Sequence, residues 1–314
     1  MRTLLAALLA SLLSSAFAQD YPAREIRSIC NFAAGSGADI IVRYYSDQLA
    51  KLAGKPVIVE NRPGAQGAIA SAFVAKSAPD GYTIHITPAS STLASAPHIW
   101  KQLPYDPIKD FATVTTINSL TFSVAVDAGK PIHKMSDLIA VLKAKPGNGF
   151  YGTQSNSGQI AAELIKASTG LQTTYVPFKV TGDAFTALLG GSIDFMSVDA
   201  TWARGQSKVR ILAVTAAKRS ASLPDVPTLA EAGVPGVDIA PWWGVVVPAG
   251  TPRPIIDRLA GWFNQIVASE ETRQFHARFA IDPMPGTPES MAALLKSEVE
   301  RWGGFVKLAK IQPQ

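Results

Sequence analysis

Two short stretches of this chain have the residue types and the spacing to hold a small anion. The first is Phe32-Ala-Ala-Gly-Ser-Gly-Ala-Asp39. It follows the apolar run Ile26 to Phe32 and precedes Ile40-Ile-Val-Arg-Tyr-Tyr-Ser-Asp-Gln-Leu49, which has helical periodicity. A Gly/Ser loop between a strand and a helix start leaves several backbone N–H groups unshielded. The helix dipole points its positive end at the same place. That cradle fits a carboxylate or a phosphate. Its candidate contacts are Ala34, Gly35, Ser36 and the amides of Gly37, Ala38 and Asp39. The Asp39 side chain is expected to cap its own helix, because two negative charges would repel. The second stretch is Gly152-Thr-Gln-Ser-Asn-Ser-Gly158, between the short strand Phe150-Tyr151 and the helix Gln159–Ser168. Thr153, Gln154, Ser155, Asn156, Ser157 and the Gly158 amide could hold another group. Neutral donors suffice in a closed cleft, where a hydrogen bond to a charged group is worth roughly 1.5–3 kcal/mol. Either loop alone reads equally well as an ordinary connection with a good N-cap. The two together favour binding.

Other candidates stand at strand ends. Thr87, Ser90 and Ser91 follow the third strand, where ligand crevices open in α/β sheets. Phe178 and Lys179 follow a strand of the second half, and Asp199 follows Ile193–Val198. Their plainer readings are a polar turn, a solvated lysine and a helix cap. Trp242 and Trp243 flank a presumed hinge, with core packing expected for at least one.

Several chemistries are poorly supported. Gly35-Ser36-Gly37 lacks the third glycine of a dinucleotide fingerprint, and no Gly-Lys-Ser/Thr makes a P-loop. His85, His98, His133 and His276 are far apart, and Cys30 is the only cysteine, which disfavours a zinc site and excludes an intrachain disulfide. A buried, inert thiol is expected there. No Gly-x-Ser-x-Gly elbow occurs. No cofactor, metal or catalytic residue is expected.

The elements that must position the loops alternate strand and helix, which argues for parallel sheets. Strands are expected at Ile26–Phe32, Pro56–Glu60, Tyr82–Thr87, Thr113–Ile117, Phe122–Val126, Phe150-Tyr151, Thr174–Phe178, Ile193–Val198, Arg210–Thr215 and Trp243–Val247. Helices are expected at Asp39–Leu52, closed by Gly54, at Gln66–Ser77, and at Asp137–Ala144, capped by Ser136. Later ones fall at Gly182–Leu189, Arg253–Ala268, Glu271–Phe279 and Pro288–Leu308. Pro88–Phe111 reads as irregular, and Leu223–Gly233 as turns with a short helix. The C-terminal helices lack strands of their own and should pack on the first sheet, so the chain returns to it near Ala240. Crossings near Val126 and Ile239 would form a hinge. The expected organisation is a two-domain α/β fold: residues 19–126 with 240–314, and 127–239.

The 314 residues are 47% hydrophobic and 17% charged, enough apolar material for a large core and two domains. Residues 1–18 have the form of a secretory signal: Arg2, an apolar run Leu4–Leu13, and the cleavage site Ala16-Phe17-Ala18. The mature protein is expected outside the cytoplasm, in the periplasm, as a monomer. The formal charge is +5, with no Lys/Arg block. That leaves nucleic-acid binding unsupported and favours small anions in a cleft.

These residues in order resemble the tripartite tricarboxylate transporter receptor family, also called the Bug proteins, over nearly the whole mature chain. The resemblance runs through Tyr21-Pro-Ala-Arg-Glu-Ile-Arg27, Gly35–Asp39, Pro56-Val-Ile-Val-Glu-Asn-Arg-Pro-Gly-Ala-Gln-Gly67, Ala78-Pro-Asp-Gly-Tyr-Thr83 and Leu103-Pro-Tyr-Asp-Pro107. It continues through Val176-Pro-Phe-Lys179, Leu188-Leu-Gly-Gly191, Leu212-Ala-Val-Thr215, Leu223-Pro-Asp-Val-Pro-Thr228 and Pro248-Ala-Gly-Thr-Pro252. It implies a type II periplasmic binding protein that closes two α/β domains over a carboxylate and delivers it to membrane permease subunits. In that family the first loop, here Ala34–Asp39, clasps one carboxylate, and the matching loop, here Thr153–Gly158, takes the distal group. The chain departs from the family pattern at Ala33 and Ala34, at Val180, and over a shortened Met196–Ser207 containing Trp202 and Arg204. The domain-two changes imply an unusual distal-group specificity. Tyr151, Phe178, Trp202 and Trp242 would suit an aromatic or aliphatic dicarboxylate. An exported enzyme acting on a carboxylate, or a receptor feeding a sensor kinase, are the alternatives.

Overall fold

The computed structural model describes residues 21–313 except 146, 148, 179, 221, 280, 309 and 310. The expected signal sequence at 1–18 and Lys179 lie outside the described residues, as does the side chain of Asn156.

The first half opens with β1 (Ile26–Cys30), α1 (Gly37–Ala53), β2 (Val57–Asn61), α2 (Ala68–Ala75) and β3 (Thr83–Thr87). Ile41, Val42, Tyr45 and Leu49 give α1 one buried face, and Gly54 ends it in the left-handed conformation (φ 65°). A π-helical stretch, Ser90–Ser95, runs into α3 (Ala96–Ile99). The Pro88–Phe111 segment is therefore more regular than its composition suggests. Ser90-Ser-Thr reads locally as loop, but Leu93 and Ala94 are fully buried, and packing overrides the propensity. Next come β4 (Phe111–Ser119) and β5 (Phe122–Asp127).

The second half has α4 (Met135–Lys143), β6 (Gly149–Thr153), α5 (Asn156–Thr169), β7 (Thr173–Pro177), α6 (Thr181–Leu189), β8 (Phe195–Asp199), α7 (Ala200–Arg204) and β9 (Val209–Val214). Ser136 does not cap α4. It lies inside the helix, and the Asp137 carboxylate reaches back to accept from the His133 and Lys134 amides at 2.9 and 3.1 Å. Between residues 223 and 233 there are turns and no helix. Thr228 and Glu231 bond each other's amides and close a single turn. The chain ends with β10 (Trp242–Pro248), α8 (Arg253–Ala268), α9 (Glu270–Phe279), the two-residue β11 (Asp282–Pro283) and α10 (Pro288–Leu308).

Two sheets result. One has six strands in the order β11-β4-β10-β3-β1-β2, and the other five in the order β7-β6-β8-β5-β9. β1 lies parallel to β2 and β3, while β10 inserts antiparallel between β3 and β4. In the second sheet β6 lies parallel to β7 and β8, and β5 runs antiparallel to β8 and β9. Phe122–Val126, expected with the first unit, thus belongs to the second sheet. Only Leu120 and Thr121 separate β4 from β5, so the chain crosses before that strand rather than after it.

Apolar packing is continuous across the two sheets. One buried cluster runs from Ile29, Leu93 and Trp242 through Leu295 and Trp302 of α10 to Ile160, Leu164 and Phe195. A second cluster, with Tyr45, Leu49, Val245 and Phe263, fills the other face of the first sheet. The C-terminal helices pack on that sheet as expected. Arg301 of α10 also bonds Asp238, through its carboxylate at 2.7 Å and through its carbonyl.

Candidate functional site

Both Gly/Ser loops occupy the same place in their sheets. β1 is flanked by β2 and β3, and β6 by β7 and β8. The chain leaves each of these first strands to one side and returns on the other. Their C-terminal ends are therefore topological switch points, where the connections splay apart and open a crevice.

In the first loop Ser36 is extended (φ −71°, ψ 159°), and its Oγ accepts from the Asp39 amide at 3.2 Å. Ser36 is the N-cap, not Asp39. The Asp39 side chain, 1% exposed, turns back into the loop. Its Oδ2 accepts from the Gly35 amide and Arg43 Nε, both at 2.8 Å, and its Oδ1 from Asn61 Nδ2 at 2.7 Å. Asn61 also donates to the Phe32 carbonyl at 2.9 Å. Burial would raise the Asp39 pKa. The hydrogen bonds from Arg43, Asn61 and Gly35 outweigh it and hold the carboxyl below its usual range. Asp39 thus fixes the loop's shape. The donors left over are the Gly37 and Ala38 amides, at the first two helical positions with no carbonyl four residues back, and the Ser36 hydroxyl. Ala34, Gly35 and Gly37 are exposed, while Ser36 and Ala38 are half-buried. Phe32 stacks on Trp243 beneath them, with centroids 5.8 Å apart.

The second loop repeats this construction. Ser155 is the N-cap of α5 and accepts from the Gly158 amide at 3.1 Å, and Thr153 Oγ1 accepts from the Ser155 amide at 3.3 Å. The Asn156 and Ser157 amides stand at the first two helical positions. A Cβ on Gly158 would lie 2.2 Å from Thr153 Oγ1, 2.9 Å from the Ser197 carbonyl and 3.1 Å from Ser155 Oγ. Gly152 is equally confined, 2.7 Å from Phe178 Cε2 and from Ile193 Cδ1 on the same construction. Thr153 and Ser157 are buried, Gln154 is exposed, and Phe178 is half-buried.

The remaining candidates divide. Thr87 and Ser90 are fully buried with their hydroxyls engaged inside the fold. Thr87 Oγ1 is 2.9 Å from Thr92 Oγ1, and Ser90 Oγ accepts from the Trp242 amide at 3.1 Å. Ser91 is half-buried and donates to the Pro88 carbonyl at 3.0 Å. Asp199 is half-buried at the end of β8. Two of the four expected aromatic wall residues are core. Tyr151 is fully buried, stacked between Tyr175 and Phe195 and bonded to Glu163 at 2.6 Å, and Trp242 is 2% exposed. Phe178 and Trp202 remain half-exposed.

Ser197 was not among the expected residues. Its Oγ is fully buried and has no hydrogen-bond partner among the described residues. The signal in the sequence is a serine two places after Phe195, on a core-facing position between Met196 and Val198. A surface cavity of about 280 Å³ lies elsewhere, lined by Pro107, Ile108, Phe111, Arg253, Glu289 and Leu295, and contains no residue of either loop. Among the described residues no His/Cys/Asp/Glu group could hold a metal ion.

The model of the tripartite tricarboxylate transporter family receptor matches residues 41–311. Protein BugT of Bordetella pertussis is 32% identical over 295 residues, 92% of this chain and 90% of that protein. The solved structure of R. palustris Rpa4515 with adipate is 30% identical, with a TM-score of 0.85, covering 94% of this chain and all of the other. MatC (Rpa3494) from Rhodopseudomonas palustris with bound malate is 28% identical, with a TM-score of 0.78, covering 91% of this chain and all of that one.

Proposed function

Because the chain belongs to the tripartite tricarboxylate transporter receptor family, we propose that it captures a small carboxylate between its two sheets and hands it to membrane subunits of such a transporter. The observation that carries this reading is the matched pair of switch-point loops, each with a serine N-cap and two unused helix-terminal amides. In the first, the Gly37 and Ala38 amides and the Ser36 hydroxyl give three donors to one carboxylate. The second offers the same set from Asn156, Ser157 and Ser155. The adipate and malate in the related structures are dicarboxylates, which supports an acid with a polar group at each end. With Tyr151 and Trp242 in the core, an aliphatic acid is favoured over an aromatic one.

We assign residues up to Ser119 and from Trp242 onward to one lobe, and Phe122 to Val214 with the turns that follow to the other. Ligand contacts made by both loops at once stabilise only the closed arrangement, which is what shifts the equilibrium on binding. The protein acts by capture and release rather than turnover, as a monomer in the periplasm after loss of residues 1–18.

A thermal-shift screen of carboxylic acids tests the reading. A true ligand raises stability by RT ln(1 + [L]/Kd), about 2.7 kcal/mol at a hundredfold excess over Kd. Stabilisation by non-carboxylates alone would overturn it, and conversion of a bound acid by the purified protein would replace it with an enzyme.

A further inference from the structure

We infer that Ser197 is the residue by which the second loop recognises the far end of the ligand, its hydroxyl donating to an acceptor-only group such as a carboxylate oxygen. The inference rests on the receptor reading above and deepens it. Tyr151 pairs with Phe195 and Gly152 with Met196 in parallel register, so the next residues along, Thr153 and Ser197, are neighbours. The stacked rings of Tyr151 and Phe195, 5.5 Å apart, mark the face these residues share. Side chains two residues on in a strand return to that face, so Thr153 and Ser197 lie on it too. It is the face covered by α5. The missing Cβ of Gly158 brings the first turn of α5 down onto Thr153 Oγ1 and the Ser197 carbonyl.

Two kinds of donor share that end of the sheet: the Asn156 and Ser157 amides, which carry the positive end of a 14-residue helix, and the Ser197 hydroxyl on the strand face that the helix covers. The hydroxyl is the telling one. It is fully buried and has no hydrogen-bond partner among the described residues. A buried hydroxyl without an acceptor costs stability, and an alanine would fill the same space without that cost. On the neighbouring strands Val124 of β5 lies opposite it, and Thr153 of β6 is beside it, with its Oγ1 accepting from the Ser155 amide. A ligand oxygen at the helix start would satisfy hydroxyl and amides together. A methyl group there would leave all of them unpaired, so the site should discriminate a diacid from a monoacid of equal length.

The test compares wild type and Ser197→Ala by isothermal titration with adipate against hexanoate and succinate against butyrate. Wild type should prefer the diacid of a pair. The variant should lose roughly ten- to hundredfold of diacid affinity while its monoacid affinity holds and its ligand-free melting temperature stays the same or rises. An unchanged diacid-to-monoacid ratio in the variant overturns the role of Ser197 and leaves the receptor reading standing. A wild type that binds none of the four acids, or binds diacid and monoacid equally, overturns the inference, and the wider carboxylic-acid screen then decides the receptor reading separately.

Discussion

Asp39 carries a negative charge into the floor of a loop read as an anion cradle. The two fit because that charge is neutralised from within by Arg43, Asn61 and the Gly35 amide. Replacing it with alanine leaves the Gly35 amide and Asn61 short of an acceptor. Arg43, half-exposed, can turn to water, so the expected loss is moderate. Asp39→Ala should cost about 2 kcal/mol in urea denaturation, with ligand affinity falling as the loop loosens. Unchanged stability would mean the network holds nothing. A second residue-scale expectation concerns pH. His85 is fully buried, and that burial pushes its pKa down to about 4, against a hydrogen bond to the Ile29 carbonyl. His276, also buried, is pushed down to about 4. Each is held neutral in the fold but takes a proton near pH 6.5 once unfolded. Stability should therefore fall as pH drops from about 6.5 to 4, by up to about 1.4 kcal/mol per unit for each histidine. Asp39, held below the usual range, adds a further loss as pH falls through the ordinary carboxylate range toward its own lower pKa. Denaturation midpoints at constant salt across that window check this, and a flat profile contradicts it.

Helices and loops were the most legible scale. Gly54 closes α1 in the sequence as it does in the structure, because a residue tolerant of positive φ is a local requirement. The start differs: Ser36 takes the capping place expected of Asp39, whose carboxylate is drawn back into the loop by Arg43, Asn61 and the Gly35 amide. Ser136 misled because the helix begins before it: the Asp137 carboxylate reaches back to the His133 and Lys134 amides and fixes the start at Met135, which leaves Ser136 inside the first turn. The Ser90–Ser95 segment was not readable locally, since its helical form depends on partners distant in sequence. Within the candidate site, the loops were legible as composition. Ser197 was not, because its significance depends on β8 lying against the start of α5. Gly158 is the tightest point of that contact. Gly158→Ala should cost about 1–3 kcal/mol in thermal or chemical denaturation and abolish binding at the second loop. A variant of wild-type stability and affinity would show that the contact yields freely.

At the scale of the whole molecule, the alternation of strand and helix pointed to two α/β units, but neither the point of crossing nor the partner of each strand could be read from it. Pairings between distant segments leave no local mark. The central position of β10 is the clearest instance. Residues 242–248 lie between β3 and β4, which were laid down far earlier in the chain. The contact order of the first sheet is therefore high, and its assembly must await the C-terminal third of the polypeptide. Until that strand arrives, β3 and β4 present facing, unpaired edges of apolar sequence, Thr83-Ile-His-Ile-Thr87 among them. A fragment ending before Trp242 should self-associate on light scattering while the full chain does not, and a monodisperse, stably folded fragment would contradict this. The first sheet therefore closes late, only when the chain is nearly complete. On the proposal that the chain is exported, this part of it would remain threadable through a narrow channel for most of its passage.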